Sequence, residues 1–287
     1  MPLTPIVSGS TYLTLPRSPE TWLIEPILPS GGAVLLYGDP KVGKSYAAIQ
    51  LTLALQEGKD WLGFPVRRKC RVVYVQLDTP RSLWASRLEE LHLTPEQIGL
   101  LLLADRETLE CFPFDILNPI HHDLLKTSLR DLSPDVVIID TLRESHGGDE
   151  NDSTQMKMVL SSFDSAIQPA AAIYVHHSKK PSIDGGKSTI NDMRGGYIAG
   201  KMDSILRLSP KTLYFTGRAI EEGSIHIRRE DNGFWRADID ETERHIESII
   251  VDPAYSSVRQ QASALSQRIG KSEEACRALL RRRRIHK

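Results

Sequence analysis

Eight consecutive residues constrain this chain more than anything else in it: Gly38-Asp39-Pro40-Lys41-Val42-Gly43-Lys44-Ser45. The G-x-x-x-x-G-K-S spacing follows directly on an apolar run, 33–37, that suits a buried strand. It leads into 44–57, where Ala47, Ala48, Leu51 and Leu55 recur at helical spacing and Gly58 is placed to end the helix. Strand, loop and helix together are far more specific than the loop pattern alone. Successive main-chain N–H groups of such a loop would wrap a phosphate chain, and the helix behind would present the positive end of its dipole. Lys44 would set its ammonium between β- and γ-phosphates, and Ser45 would give its hydroxyl oxygen to Mg2+. The expected ligand is therefore ATP or a close relative with Mg2+; the loop reads phosphates and leaves the base undefined.

Apolar runs alternate with helix-like stretches through the body of the chain, the mark of an α/β protein whose mainly parallel sheet is covered on both faces. Further strands are expected at 71–77, 136–140 and 172–177, and shorter ones at 204–208, 212–216 and 224–228, with 234–236 finishing the series. A helix is expected over 81–91. Asp140 ends the run Val-Val-Ile-Ile, which has the character of a central strand beside the one that feeds the loop. An aspartate there would orient water in the Mg2+ shell; a helix N-cap is the plainer alternative. Asp78, at the exit of 71–77, could take a proton from an attacking water, or could simply form the turn Asp-Thr-Pro.

With these residues placed, the chain resembles the RecA-like superfamily, and within it the RepA-type hexameric replicative helicases of plasmids and mobile elements. The supporting segments are Trp22-Leu23-Ile24, GDPKVGKS, VVYVQLDTP, VVIIDTLRESHGGDENDS, IYVHHSKK and Met193-Arg194-Gly195-Gly196. The resemblance implies a RecA-like core, rings with ATP at subunit boundaries, and hydrolysis coupled to movement on single-stranded DNA. It matches Lys44 and Ser45 to the loop pair and Asp140 to the Mg2+-linked aspartate. Asp78 falls where the family usually has a catalytic glutamate, a departure that bears on the rate of hydrolysis. His177 matches a polar residue that senses the γ-phosphate. For the arginine that a neighbouring subunit supplies, Arg218 stands at about the expected place, with Arg207 and Arg228 as competitors.

Two segments are expected to meet nucleic acid. In RecA-like proteins the loops after the third and fourth core strands face the channel, here about 144–154 and 178–195. The first is acidic, with Asp149, Glu150 and Asp152; the second carries Lys179, Lys180, Lys187 and Arg194 among glycines, and could follow a phosphate backbone or be a plain solvated connection. The other segment is the C-terminus. From 258 onward nine basic residues face two acids, a net +7, so the first 257 residues carry −8 of the overall −1. Two helices around a turn, 259–268 and 272–284, are expected there, displaying Lys271, Arg277, Arg281, Arg282, Arg283 and Arg284 to phosphates or a groove; a basic helix packed on a neighbouring subunit is the competing picture.

The organisation expected is an N-terminal arm (1–20), an ATPase core (21–240), a linker (241–257) and a basic helix-turn-helix-like tail (258–287). Cys70, Cys111 and Cys276 have no metal-ligand spacing and suggest no disulfide framework. No apolar run approaches the ~20 residues that span a bilayer, so a cytoplasmic protein with no membrane partner is expected. The function expected is an ATP-driven, ring-forming DNA helicase or translocase in replication of a plasmid, phage or mobile element, most simply a hexamer. Two alternatives stay open: a recombinase forming ATP-bound filaments on single-stranded DNA, and a nucleotide-gated regulator that binds specific duplex.

Overall fold

The computed structural model describes residues 7–15, 21–177 and 196–238, and within the C-terminal part 249–250, 254–255, 257–269, 272–274, 276–277 and 280. Contacts divide the chain into two compact units, 1–236 and 237–287.

In the first unit a short helix α1 (Gly9–Thr14) precedes a two-stranded hairpin, β1 (Trp22–Ile24) and β2 (Leu28–Pro29). Then come β3 (Ala33–Gly38), α2 (Lys44–Glu57), β4 (Val72–Gln76), α3 (Arg81–Glu90), α4 (Pro95–Leu100), β5 (Leu102–Asp105), α5 (Pro119–Leu132) and β6 (Val136–Asp140). A 3-10 turn (Leu142–Ser145), α6 (Ser153–Ile167), β7 (Ala171–His177) and α7 (Gly196–Lys201) follow, and β8 (Ser204–Leu208), β9 (Thr212–Gly217), β10 (Gly223–Arg229) and β11 (Trp235–Ala237) complete the unit.

Nine of these strands form one sheet, in the order β11-β10-β9-β8-β3-β7-β6-β4-β5. The half from β8 to β5 is parallel, and β8, β9 and β10 run antiparallel. Parallel strands are buried on both faces, which is why β4 and β6 read as unbroken apolar runs and are buried at every position. One expectation is corrected here. β6 does not lie beside β3; β7 is hydrogen-bonded to both and separates them. An unbroken apolar run marks a strand as internal, but does not say which neighbours it takes.

Alternation along the strands divides the core into two clusters. Val34, Leu36, Val72, Tyr74, Val136, Ile138, Ile173 and Val175 pack with α2 and α3 on one face. Leu35, Tyr37, Val73, Val75, Val137, Ile139, Ala172 and Tyr174 pack with α5, α6 and α7 on the other. Because side chains alternate with period two, the parity of a residue tells which layer it enters. The second unit is described as a helix α8 (Val258–Ile269) with helical residues at 273–274, 276–277 and 280. It has its own small core, in which Ile249, Ala262, Leu265, Cys276 and Leu280 are buried. Among the described residues no helix is long and apolar enough to cross a membrane.

Candidate nucleotide-binding site

β3 delivers the chain to the carboxyl edge of the sheet at Gly38, and α2 begins six residues later at Lys44. Gly43, the N-cap, has φ +100°, a left-handed conformation open chiefly to glycine, and no side chain caps the helix. The first N–H groups of α2 therefore remain available to an anion. At Gly38 a Cβ would run into the carbonyl oxygen of Leu208 on β8, so the strand can leave the sheet here only as glycine. The Lys44 ammonium is buried and donates to the carbonyl oxygens of Gly38 and Asp39, each at 2.9 Å. Burial pulls its pKa down to about 8, against the opposing pull of Asp140, Asp39 and Asp78.

Asp140 shares parity with Val136 and Ile138, so its side chain enters the layer that holds α2. It is 2% exposed. Its Oδ2 accepts a 2.5 Å hydrogen bond from the hydroxyl of Tyr74, which has the same parity on β4. Burial raises the Asp140 pKa, while hydrogen bonds from Tyr74 and Ser45 favour the charge. Asp78 raises it further and Lys44 lowers it, so all four groups act on one carboxylate. Its Oδ1 is buried with no hydrogen-bond partner. An orphaned carboxylate oxygen with a serine hydroxyl and an ammonium acting on the same group is a donor set that fits Mg2+ and the phosphates it accompanies.

Asp78 is exposed, between β4 and α3, and acts electrostatically on both Lys44 and Asp140. His177 ends β7, half-buried and opposite Gly38 in register. The neighbouring His176 has the other parity and is buried, its Nδ1 3.6 Å from Oε1 of Glu150. Arg218 lies at the far end of the sheet: its N–H donates to the Asp203 carbonyl, whose own N–H donates to Ala33 at the start of β3. Five strand steps of ~3.3 Å put that end roughly 16 Å from Gly38, so any part Arg218 plays in hydrolysis would be at a neighbouring copy's site. Its guanidinium pairs with Asp203 at 3.1 Å and, with Lys201 and Asp164, lines a cleft of about 190 Å3 remote from the phosphate loop. Arg207 stands at the loop end of β8 with its guanidinium 4.2 Å from the ring centre of Tyr214, and Arg228 is exposed on β10.

Three of the four acids in 144–154 have inward or local roles, Asp149 accepting from the N–H of Asn151. Glu150 is buried, and the Asp152 carboxylate accepts from the N–H groups of Thr154 and Gln155 to cap α6. Arg277, half-buried in the second unit, pairs with Glu273 at 3.4 Å. Lys179, Lys180, Lys187, Arg194, Lys271, Arg281, Arg282, Arg283 and Arg284 lie outside the described residues. Sequence reasoning missed Tyr74, although a tyrosine inside an apolar strand is itself a signal, because a buried hydroxyl needs a partner. It also missed Trp235, whose indole packs on Gly43 from 192 positions away in a strand with no motif.

A parallel core with a phosphate loop at the end of one strand, and a buried aspartate at the end of a strand two places away, defines a RecA-like P-loop ATPase. The chain belongs to the AAA domain family, whose model matches residues 6–182, more than half of its length. Among solved structures it resembles the KaiC-like protein PH0186 from the hyperthermophilic archaeon Pyrococcus horikoshii OT3, with 16% identity and a TM-score of 0.50, covering 75% of this chain and 93% of that one. It also resembles the ATPase domain of G40P, with 13% identity and a TM-score of 0.52, covering 72% and 84% respectively. At such identities the likeness is one of fold. No curated protein matches the chain.

Proposed function

We propose that this protein is an ATP-dependent, ring-forming DNA helicase or translocase acting in the replication of a plasmid, phage or mobile element. The observation that carries the reading is the convergence of Lys44, Ser45 and Asp140 across the α2 face of the sheet. Lys44 would exchange two main-chain carbonyls for phosphate oxygens, a charge-assisted contact stronger than the ones it leaves. The main-chain N–H groups of the loop and of the first turn of α2 would hold the rest of the phosphate chain. Ser45 and Asp140 would hold Mg2+, which when bound neutralises charge developing on the phosphates. Tyr74 fixes one carboxylate oxygen and so leaves Oδ1 of Asp140 for the ion's shell.

Asp78 would orient and deprotonate the attacking water, His177 would respond to the γ-phosphate, and Arg218 would serve the site of the next subunit, so that hydrolysis follows ring geometry. Lys179, Lys180, Lys187 and Arg194 would track single-stranded DNA, and the basic C-terminus would add phosphate contacts. The test is ATP turnover by the full chain with and without single-stranded DNA, paired with electron microscopy of the same mixture. Stimulated turnover and closed rings are expected; helical filaments would establish the recombinase alternative in its place. A second reading, a nucleotide-gated regulator of duplex DNA, draws on the separate apolar core of the C-terminal unit. It gains if assembly responds to a specific duplex and not to single strands.

A further inference from the structure

The turn between β10 and β11 brings Trp235 onto the phosphate loop. A Cβ on Gly43 would lie 3.2 Å from Cζ2, 3.5 Å from Nε1 and 3.6 Å from Cε2 of the indole. The ring is 4% exposed. Its place is fixed from the helix that the loop feeds: the Gln50 side chain donates to the Trp235 carbonyl at 2.6 Å and accepts from its N–H at 2.9 Å. Close by, Arg229 lies over the ring of Tyr46 at 4.4 Å, and its Nε donates to the Gly233 carbonyl within the same turn. The turn is thus tied to α2 at two places about one helical turn apart, Tyr46 and Gln50. What sets this ring apart from the other buried tryptophans is its place against Gly43; its indole N–H is buried without a hydrogen-bond partner, as are those of Trp61 and Trp84.

We propose that Trp235 is a positioning residue for the phosphate loop, acting through Gly43. Glycine is the least restrained residue the chain can place at a hinge, and a phosphate cradle is effective only if its N–H groups are aimed before the anion arrives. The flat indole edge closes the space behind Gly43 and confines it, and Gln50 holds that edge at a set height above α2. The proposal rests on the nucleotide site described above and adds a residue to it.

The test uses W235F, which keeps an aromatic ring in the core but removes the part of the indole nearest Gly43. A non-hydrolysable ATP analogue with Mg2+ is titrated into wild type and W235F, and both are melted without ligand. About tenfold weaker binding is expected with a ligand-free melting temperature within a few degrees of wild type. Wild-type affinity in W235F overturns the proposal. A second readout is insensitive to structural loss: the indole N–H resonance of Trp235 in the wild-type protein. It is assigned among the four tryptophans by Trp22→Phe, Trp61→Phe and Trp84→Phe, and so decides the matter even if W235F does not fold. It should shift more than the other three on adding the analogue; an unmoved resonance at saturating analogue overturns the proposal. If wild type binds no nucleotide at all, the reading of the site falls instead.

Discussion

At the residue scale the site is a problem of charges kept dry. Lys44 has lost most of its hydration, and its pKa near 8 follows mainly from that loss. A folded pKa below the ordinary 10.5 means that, between about pH 8 and 10.5, the unfolded chain keeps a proton the folded chain has released. Stability contributed by this group therefore rises with pH across that window and is flat below it. Nucleotide binding runs the other way, because phosphates favour the ammonium. Calorimetric titration at pH 8.5 in buffers of different ionisation enthalpy should show net proton uptake on binding, which disappears at pH 6.5. For Tyr74→Phe, the 2.5 Å bond to Asp140 is lost and the buried carboxylate loses one of its donors. A stability loss of about 1–3 kcal/mol is expected by denaturant titration, with turnover down by about tenfold or more. The loop, Lys44 and Asp140 are legible in the sequence because their chemistry demands fixed spacings from strand ends. Tyr74, Gln50 and Trp235 are not, since their roles arise only when distant strands fold against one helix.

The elements show a matching division. Helix α2 has the bounds its periodicity and Gly58 give it, with Gly58 at φ +71°. The internal strands 33–37 and 136–140 stand out because burial on both faces leaves them apolar up to the terminal Asp140; 204–208, with Ser204 and Arg207, is less clear-cut. The edge strand β5 is short and largely half-exposed, and the hairpin β1–β2, though mostly buried, is only three and two residues long, so both lack that signal. Helix α5 does announce itself, through Asn118 as N-cap and Pro119 at the first position, but its outer face carries the exposed Ile120 and Leu124 and blurs the periodicity. Replacing Asn118 with Ala should cost about 1 kcal/mol, because the Ile120 N–H loses its acceptor. Chemical denaturation with an unchanged m-value would check it. The acids of 144–154 read as a charged loop, whereas Glu150 is turned inward and Asp152 is a cap; net charge alone cannot tell a solvated acid from one with a local N–H to satisfy.

For the whole molecule, the sequence shows a basic C-terminus on an acidic body, and the structure adds that residues 237–287 form a unit with its own core. If that unit holds phosphates, replacing Arg281–Arg284 with Ala should weaken single-stranded DNA binding and flatten its salt dependence. Each lost phosphate contact should remove about 0.7 from the slope of log K against log salt. An unchanged slope would assign those arginines to another surface. All of this presupposes the nucleotide site, and the most direct measurement of it is equilibrium binding of ATP to the full chain, with and without Mg2+, in wild type and Lys44→Ala. A working phosphate site requires Mg2+-dependent binding in wild type and a loss of a hundredfold or more in the variant. Equal affinity in the two proteins, or no affinity in either, would contradict it.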